Sequence, residues 1–436
     1  MYYLLKFIVG ISIRIYYRSV KVRNIAHLEH TGPKIIIANH PNTLMDAWLI
    51  GHVCREPIYY MAKSTFFNSP LKKWLLGKLN MIPINRRTDG STQGVSNSDS
   101  FEACYRILEE GKTLVIFPEG TSIPELKLRE LKSGTARIAL EAEKRNHGKL
   151  DLKVIPVGLF YSQPEKFRSS VMVTVGKGMN VTDHLSAYNE NNSLASKQLT
   201  ARFREHLERV LVTVENDEQE VLVKELYEVL RTKEEAQSID KGSQLMKVIN
   251  SSIEELQLLR PYRVKEVQEL LLKIKWQKQN LAIHSDFISR RFRSRLYLMQ
   301  LSFSLFFLLL GMPFFIFGLI HNYLTYKFID LVVPRVTRFI EYHAALNILF
   351  SLILYPLTYF GWIELVKWSL HPASWMLLIY ACSLPVSGFF AHRFAHYFKR
   401  TGQKRRYLFL IYNQKEALLE LQQMKKELEK LLFGEG

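Results

Sequence analysis

Apolar side chains crowd the start of the chain, but cations break them up. Leu4, Leu5, Phe7, Ile8, Val9, Ile11, Ile13 and Ile15 share this stretch with Lys6 and Arg14, and Arg18, Lys21 and Arg23 follow before the first acid, Glu29. No uninterrupted span of about 20 apolar residues results. A small-residue cleavage site after a short apolar core is also lacking, so a secretory signal peptide is not expected. The pattern predicts an interfacial helix within residues 1–30, apolar face down and cations at the headgroups. Packing of that helix on the protein's own core is the alternative.

From about residue 33 the pattern changes to short apolar runs rich in β-branched residues, at 34–39, 58–62, 81–85, 113–117, 154–160 and 171–175. Helical periodicity fills the intervals near 44–53, 70–79, 101–110 and 134–145. Strands separated by helices predict an α/β domain over 31–215, a mostly parallel mixed sheet flanked by helices. Neither G-x-G-x-x-G nor a P-loop follows a strand, so nucleotide binding by those routes is not indicated. Residues 216–295 are polar with a helical period, carried for instance by Leu222, Leu226, Val229 and Leu230, and read as a helical connector.

A C-terminal helical transmembrane region is predicted over 296–406. Residues 296–320 are almost wholly apolar, interrupted by Gly311 and Pro313, and 344–363 and 374–391 are two further runs of near-spanning length. Arg290, Arg291, Arg293 and Arg295 precede the first run, and Arg393, Lys399, Arg400, Lys404, Arg405 and Arg406 follow the last. The positive-inside rule wants both flanks cytoplasmic, together with the α/β domain. Three simple spans do not allow this, so an even number of crossings is expected, with 296–320 bent at Gly311–Pro313 into a re-entrant hairpin. The tail, 407–436, reads as an amphipathic, charge-laced helix or a short coiled coil.

Charge sharpens this picture. In 436 residues Lys and Arg outnumber Asp and Glu by 59 to 41, a net charge of +18. Such a balance seeks nucleic acid or an anionic bilayer. The basic residues cluster beside hydrophobic segments and no zinc-finger or RNP-type pattern occurs, so membrane lipids are the expected partners and nucleic acid is not. An apolar share of 47% excludes a disordered chain. Cys54, Cys104 and Cys382 lie far apart, which argues against a disulfide framework or a cysteine zinc site and fits a reducing compartment.

Three short segments hold candidate chemistry, each at the predicted carboxyl end of a strand. The first is Asn39-His40-Pro41-Asn42-Thr43-Leu44-Met45-Asp46. On one continuous helix His40 and Asp46 would point to different faces. They can meet if His40 lies in the loop and Asp46 in the first turn of the next helix, with Thr43 as its N-cap. One imidazole nitrogen would then face a substrate hydroxyl while Asp46 holds the other. The same residues read equally as a capping box of Thr43 and Asp46 beside an ordinary loop histidine. A metal site is not expected here, because no third ligand stands at suitable spacing.

The second segment ends an apolar strand abruptly in Phe117-Pro118-Glu119-Gly120-Thr121-Ser122, offering a carboxylate, a hydroxyl and backbone N–H groups where parallel sheets bind ligands. Its plainer reading is a strand-to-helix turn with Gly120 at positive φ and Thr121 or Ser122 as cap. The third, Met81-Ile82-Pro83-Ile84-Asn85-Arg86-Arg87, brings a guanidinium to a strand end, suited to bidentate phosphate recognition or simply solvated.

Taken together, these blocks resemble the glycerolipid acyltransferase family, the membrane-bound enzymes that acylate glycerol 3-phosphate or lysophosphatidic acid. Asn39-His40 with Asp46 resembles the family's first block, Ile82 to Arg86 the second, Phe117 to Ser122 the third and Val154-Ile155-Pro156-Val157 the fourth, in the family's order. Leu131-Lys132-Ser133-Gly134-Thr135-Ala136 also looks familial. The resemblance covers roughly residues 1 to 215.

By that resemblance, His40 takes the proton from the acceptor hydroxyl as it attacks an acyl thioester, and Asp46 orients and stabilises the imidazolium. Arg86 would bind the phosphate, with Glu119, Gly120 and Thr121 shaping the acceptor site. Lys63, after the second predicted strand, would assist the phosphate or CoA, or be a solvated lysine. No cofactor is implied; acyl-CoA or acyl-carrier protein enters as co-substrate. No G-x-S-x-G motif marks a covalent nucleophile. One departure bears on the acceptor. Five residues, Pro41 to Met45, separate His40 from Asp46, where the family's commonest first block has four. Some glycerol-3-phosphate acyltransferases of the family carry the longer spacing, which tilts the expectation toward glycerol 3-phosphate. Another lysophospholipid as acceptor, and an inactive scaffold, are the alternatives.

Overall fold

Every apolar run read from 34–175 becomes a strand. The computed structural model describes residues 1–84, 97–290 and 294–434. It divides into two compact units, Met1–Asp217 with Ile340–Ala345, and Glu218–Phe339 with Leu346–Gly436.

In the first unit the elements run α1 (Tyr2–Tyr16), β1 (Ser19–Arg23), β2 (Lys34–Ala38), α2 (Leu44–Val53), β3 (Ile58–Lys63), α3 (Pro70–Lys78), β4 (Met81–Ile84), α4 (Asn97–Glu109) and β5 (Thr113–Ile116). There follow α5 (Gly134–Arg145), β6 (Lys153–Tyr161), β7 (Ser170–Val175), β8 (Met179–Asn180), α6 (Leu185–Glu190) and α7 (Asn192–Val210). The sheet order is β1-β7-β6-β2-β5-β3-β4, with β8 pairing β6 off this path. Its pairs are parallel except where β6 meets β7 and β8. This is the mixed, mostly parallel sheet expected. Ile35, Ile36 and Ile37 of β2 are fully buried, as a central strand covered on both faces requires. Side chains of α4 and α5, among them Cys104, Leu108, Ile138 and Leu140, pack with Ile35, Ile37 and Leu114 in one core on the same face of the sheet. On that face α7 closes the core, with Phe203 and Leu207 fully buried.

The N-terminal helix is shorter than expected. It stops at Tyr16, and Ser19–Arg23, inside the interval assigned to an interfacial segment, joins the sheet edge against Ser170–Thr174. Val20 and Val22 alternating with Lys21 and Arg23 give the period of two that an edge strand tolerates. One face of α1 packs on the protein's own core and the other leaves apolar side chains exposed. Ile13 and Tyr16 are buried, whereas Tyr3, Leu4, Phe7, Ile11 and Ile15 are exposed.

The second unit is helical: α8 (Asp217–Leu230), α9 (Lys233–Gln237), α10 (Ile239–Leu259), α11 (Pro261–Asn280), α12 (Ser294–Val336), α13 (His343–Leu370), α14 (Ser374–Asn413) and α15 (Lys415–Phe433). The described helices after Asp217 have a core of their own, which the tail helix joins. The helices α10 and α11 pack against α15, and Val223, Leu226, Ile249, Ile274, Leu418 and Leu428 are buried.

Among the described residues three helices are long and apolar enough to cross a membrane, over Arg295–Val336, Ile340–Leu370 and Ser374–Asn413. The re-entrant hairpin is not formed, because α12 runs unbroken through Gly311 and Pro313. Gly311 serves close packing instead. A Cβ there would lie 2.6 Å from the Phe394 ring, and one at Gly318 would run into Ser387 O. The basic flanks nevertheless share one end of the α12–α14 pair, because these helices are antiparallel. The Tyr297 ring meets Tyr407 at 5.1 Å, and Ser304 Oγ takes bonds from Tyr397 (3.0 Å) and Lys404 (2.8 Å). Toward the other end Asn322 ties all three helices. Its amide donates to Leu384 O (3.2 Å) and Ser387 Oγ (3.3 Å), and it accepts from Tyr359 (2.7 Å).

Candidate active site

Strand ends at the carboxyl edge of the sheet bring the first and second segments together. β2 and β5 are neighbours in parallel register, so the loops leaving Ala38 and Ile116 emerge side by side. His40 lies in the first loop and Asp46 in the first turn of α2, the placement under which they can meet. His40 Nδ1 stands 2.9 Å from Asp46 Oδ2. Asp46 is fully buried while the His40 side chain keeps 15% exposure, so the pair is closed behind and open in front. With Nδ1 donating to the carboxylate, Nε2 keeps a lone pair and can take a proton.

The capping-box alternative is not realised. Asp46 Oδ2 accepts from Asn42 N (2.7 Å), and Thr43 N donates to Ser122 Oγ (2.9 Å). Thr43 precedes α2 at φ 41° without capping it, and its hydroxyl donates to Glu341 O at 2.8 Å. That backbone is unusual for a β-branched residue and is fixed on both sides by these bonds.

Glu119 joins the pair from the turn after β5. It accepts from His40 N (3.2 Å) and Arg129 N (3.3 Å), and so fixes the loop that carries the imidazole. Burial raises the Glu119 carboxyl above its ordinary range, opposed by those two N–H groups. Gly120 has φ +69°, so the turn needs glycine for its backbone, and the Lys132 ammonium crosses the turn beside it. Thr121 is exposed in the same turn. Lys63 ends β3, opposite Ile84 of β4, at the same sheet edge but with β5 between its strand and β2. Arg86 lies outside the described residues.

Sequence reasoning did not reach three contacts. Phe117 stacks on the His40 ring with centroids 3.9 Å apart and planes 11° from parallel. Asn39 clamps β2 to β6, donating to Leu159 O (3.0 Å) and accepting from Leu159 N (2.8 Å). Tyr161, the last residue of β6, donates to Asp46 Oδ1 at 2.6 Å. Among the described residues no three His, Cys, Asp or Glu side chains are grouped to hold a metal ion.

Residues 19–159 match the family model described as Acyltransferase. Over 141 residues the chain is 30% identical to glycerol-3-phosphate O-acyltransferase 1 of Saccharomyces cerevisiae, covering 32% of this chain and 18% of that protein. Over 127 residues it is 26% identical to a 1-acyl-sn-glycerol-3-phosphate acyltransferase of Chlamydomonas reinhardtii, covering 29% and 34%. The chain thus spans a minor part of the curated relatives it matches. The crystal structure of the 1-acyl-sn-glycerophosphate acyltransferase PlsC from Thermotoga maritima is 20% identical, with a TM-score of 0.34 over 47% of this chain and 79% of that one.

Proposed function

We propose that the chain is a membrane-bound glycerolipid acyltransferase, a reading supported by the match of residues 19–159 to the acyltransferase family model. It moves a fatty acyl group from acyl-CoA or acyl-carrier protein to a hydroxyl of glycerol 3-phosphate. The observation that carries this reading is the His40–Asp46 pair at 2.9 Å, buried on the Asp46 side and open on the other. Nε2 of His40 takes the proton as the acceptor oxygen attacks the thioester carbonyl, and Asp46 stabilises the imidazolium that forms. The proton then leaves with the thiol. Arg86 and Lys132 are proposed to face the acceptor phosphate, Lys132 because its ammonium crosses the Gly120 turn.

The longer His40–Asp46 spacing and the yeast relative's name favour glycerol 3-phosphate. Lysophosphatidic acid is the second reading, supported by the name of the algal relative. Acyl transfer from labelled acyl-CoA, assayed in washed membranes with each acceptor separately, is expected to label glycerol 3-phosphate. Labelling of lysophosphatidic acid alone selects the second reading. No label on either acceptor, with acyl-CoA or acyl-carrier protein as donor, would sink both.

The substrate's acyl chain places the site at a bilayer surface, where the exposed apolar face of α1 makes contact and α12 to α14 anchor the chain. We propose that the α/β domain and both basic flanks face the cytoplasm, because the α12–α14 pairing puts the flanks at one end. Cysteines placed at Arg295 and Arg400 are expected to react with an impermeant thiol reagent from the same side; labelling from opposite sides contradicts this.

A further inference from the structure

We infer that Tyr161 is a positioning residue of this site, holding Asp46 so that its Oδ2 faces His40 Nδ1 and the Nε2 lone pair points outward. The inference rests on the reading of His40 as the general base.

Asp46 is fully buried and takes three donors. Two of them, His40 Nδ1 (2.9 Å) and Asn42 N (2.7 Å), converge on Oδ2. Tyr161 Oη holds Oδ1 at 2.6 Å. A carboxylate gripped at one oxygen can still turn about its Cβ–Cγ bond, since that torsion is broad. A donor at the second oxygen stops the turn, and an O–H···O⁻ bond of this length is the strong, charge-assisted kind. Without it, Asp46 could swing Oδ2 off the ring and release the imidazole's tautomer.

Tyr161 is itself fixed. It ends a strand whose neighbour β2 carries the His40 loop, its ring lies 5.9 Å from that of Tyr17, and Tyr17 Oη accepts from Asn42 Nδ2 at 3.3 Å. Asn42 Nδ2 also reaches Pro164 O at 3.1 Å. A buried hydroxyl is costly unless it is used, and phenylalanine would fill an apolar position without that cost. Burial and the Asp46 charge push the Tyr161 phenol well above its ordinary range, so it stays a donor. The titratable groups facing the pair are Tyr17 after α1, Glu119 after β5 and Tyr161; Glu341 meets Thr43 through its backbone oxygen.

The test compares full-length Tyr161→Phe with wild type in acyl transfer across a pH series. A fall in kcat of about 10–100-fold is expected, the size of a lost hydrogen bond to a charged group, with the KM for acyl donor unchanged. The acid limb should move to lower pH, because a carboxylate turned off the ring no longer holds the imidazolium proton. In an Asp46→Asn background the same change should add little, since the two residues act as one unit. Incorporating 3-fluorotyrosine at 161 keeps shape, fold and the donor, and should leave kcat and the limb near wild type. Wild-type kcat and an unmoved limb in Tyr161→Phe overturn the inference, as does a pH-independent loss additive with Asp46→Asn. A wild type inactive on every acceptor overturns the functional reading and this inference with it. An active wild type beside an unchanged Tyr161→Phe overturns the inference alone.

Discussion

His40→Ala is expected to lower kcat for acyl transfer by about 10²–10⁴-fold, the usual contribution of a positioned general base. The KM values should stay near wild type, because in the proposed mechanism Nε2 acts on a proton in flight rather than on a bound group. The variant should fold. Asp46 loses one of its three donors but keeps Asn42 N and the Tyr161 hydroxyl, so its buried carboxylate is not stranded. The Phe117 ring, now uncovered where it stacked on the imidazole, costs a little packing and no hydrogen bond. Steady-state assays with labelled donor check this, and retention of activity within tenfold of wild type would remove His40 from the mechanism.

Phe203→Ala should produce a large loss of stability. The ring is fully buried in the core formed by α7, α5 and the sheet. Emptying such a site typically costs about 3–5 kcal/mol through lost transfer energy and an unfilled cavity. For a unit of this size that corresponds to roughly 6–20 °C in melting temperature. Phe203→Leu should recover much of it by refilling the volume. Thermal unfolding of the detergent-solubilised chain, followed by a probe in the first unit, gives the comparison. Melting of Phe203→Ala within a degree or two of wild type would mean that the core reorganises around the gap.

The strands were legible because a parallel sheet covered on both faces demands uninterrupted apolar runs, and Ile35–Ile36–Ile37 supplies one. His40, Asp46 and Glu119 were legible because loop, helix start and turn are each local features, and the sheet only has to juxtapose two neighbouring strand ends. Tyr161 was not. Its bond to Asp46 links positions 115 residues apart, and nothing local in β6 distinguishes a tyrosine that reaches a carboxylate from one that fills a core. The apolar helices announced themselves by length, but their pairing did not. Gly311 and Pro313 looked like a bend from sequence, whereas the glycine's lack of a side chain is used to admit Phe394. β1 escaped notice because an edge strand needs only half an apolar pattern.

The bond from Thr43 to Glu341 sets an order of events during synthesis. The two residues are 298 positions apart, and α12 lies between them in the chain. On the ribosome the sheet, with His40, Glu119 and Tyr161, can assemble once β7 has emerged, since domains fold as they are completed. The Thr43 hydroxyl must then wait for the whole first apolar helix to be made before its acceptor exists. That bond therefore forms only after α12 has been translated, and a nascent chain arrested before residue 341 would hold the His40–Asp46 pair with that hydroxyl still looking for a partner.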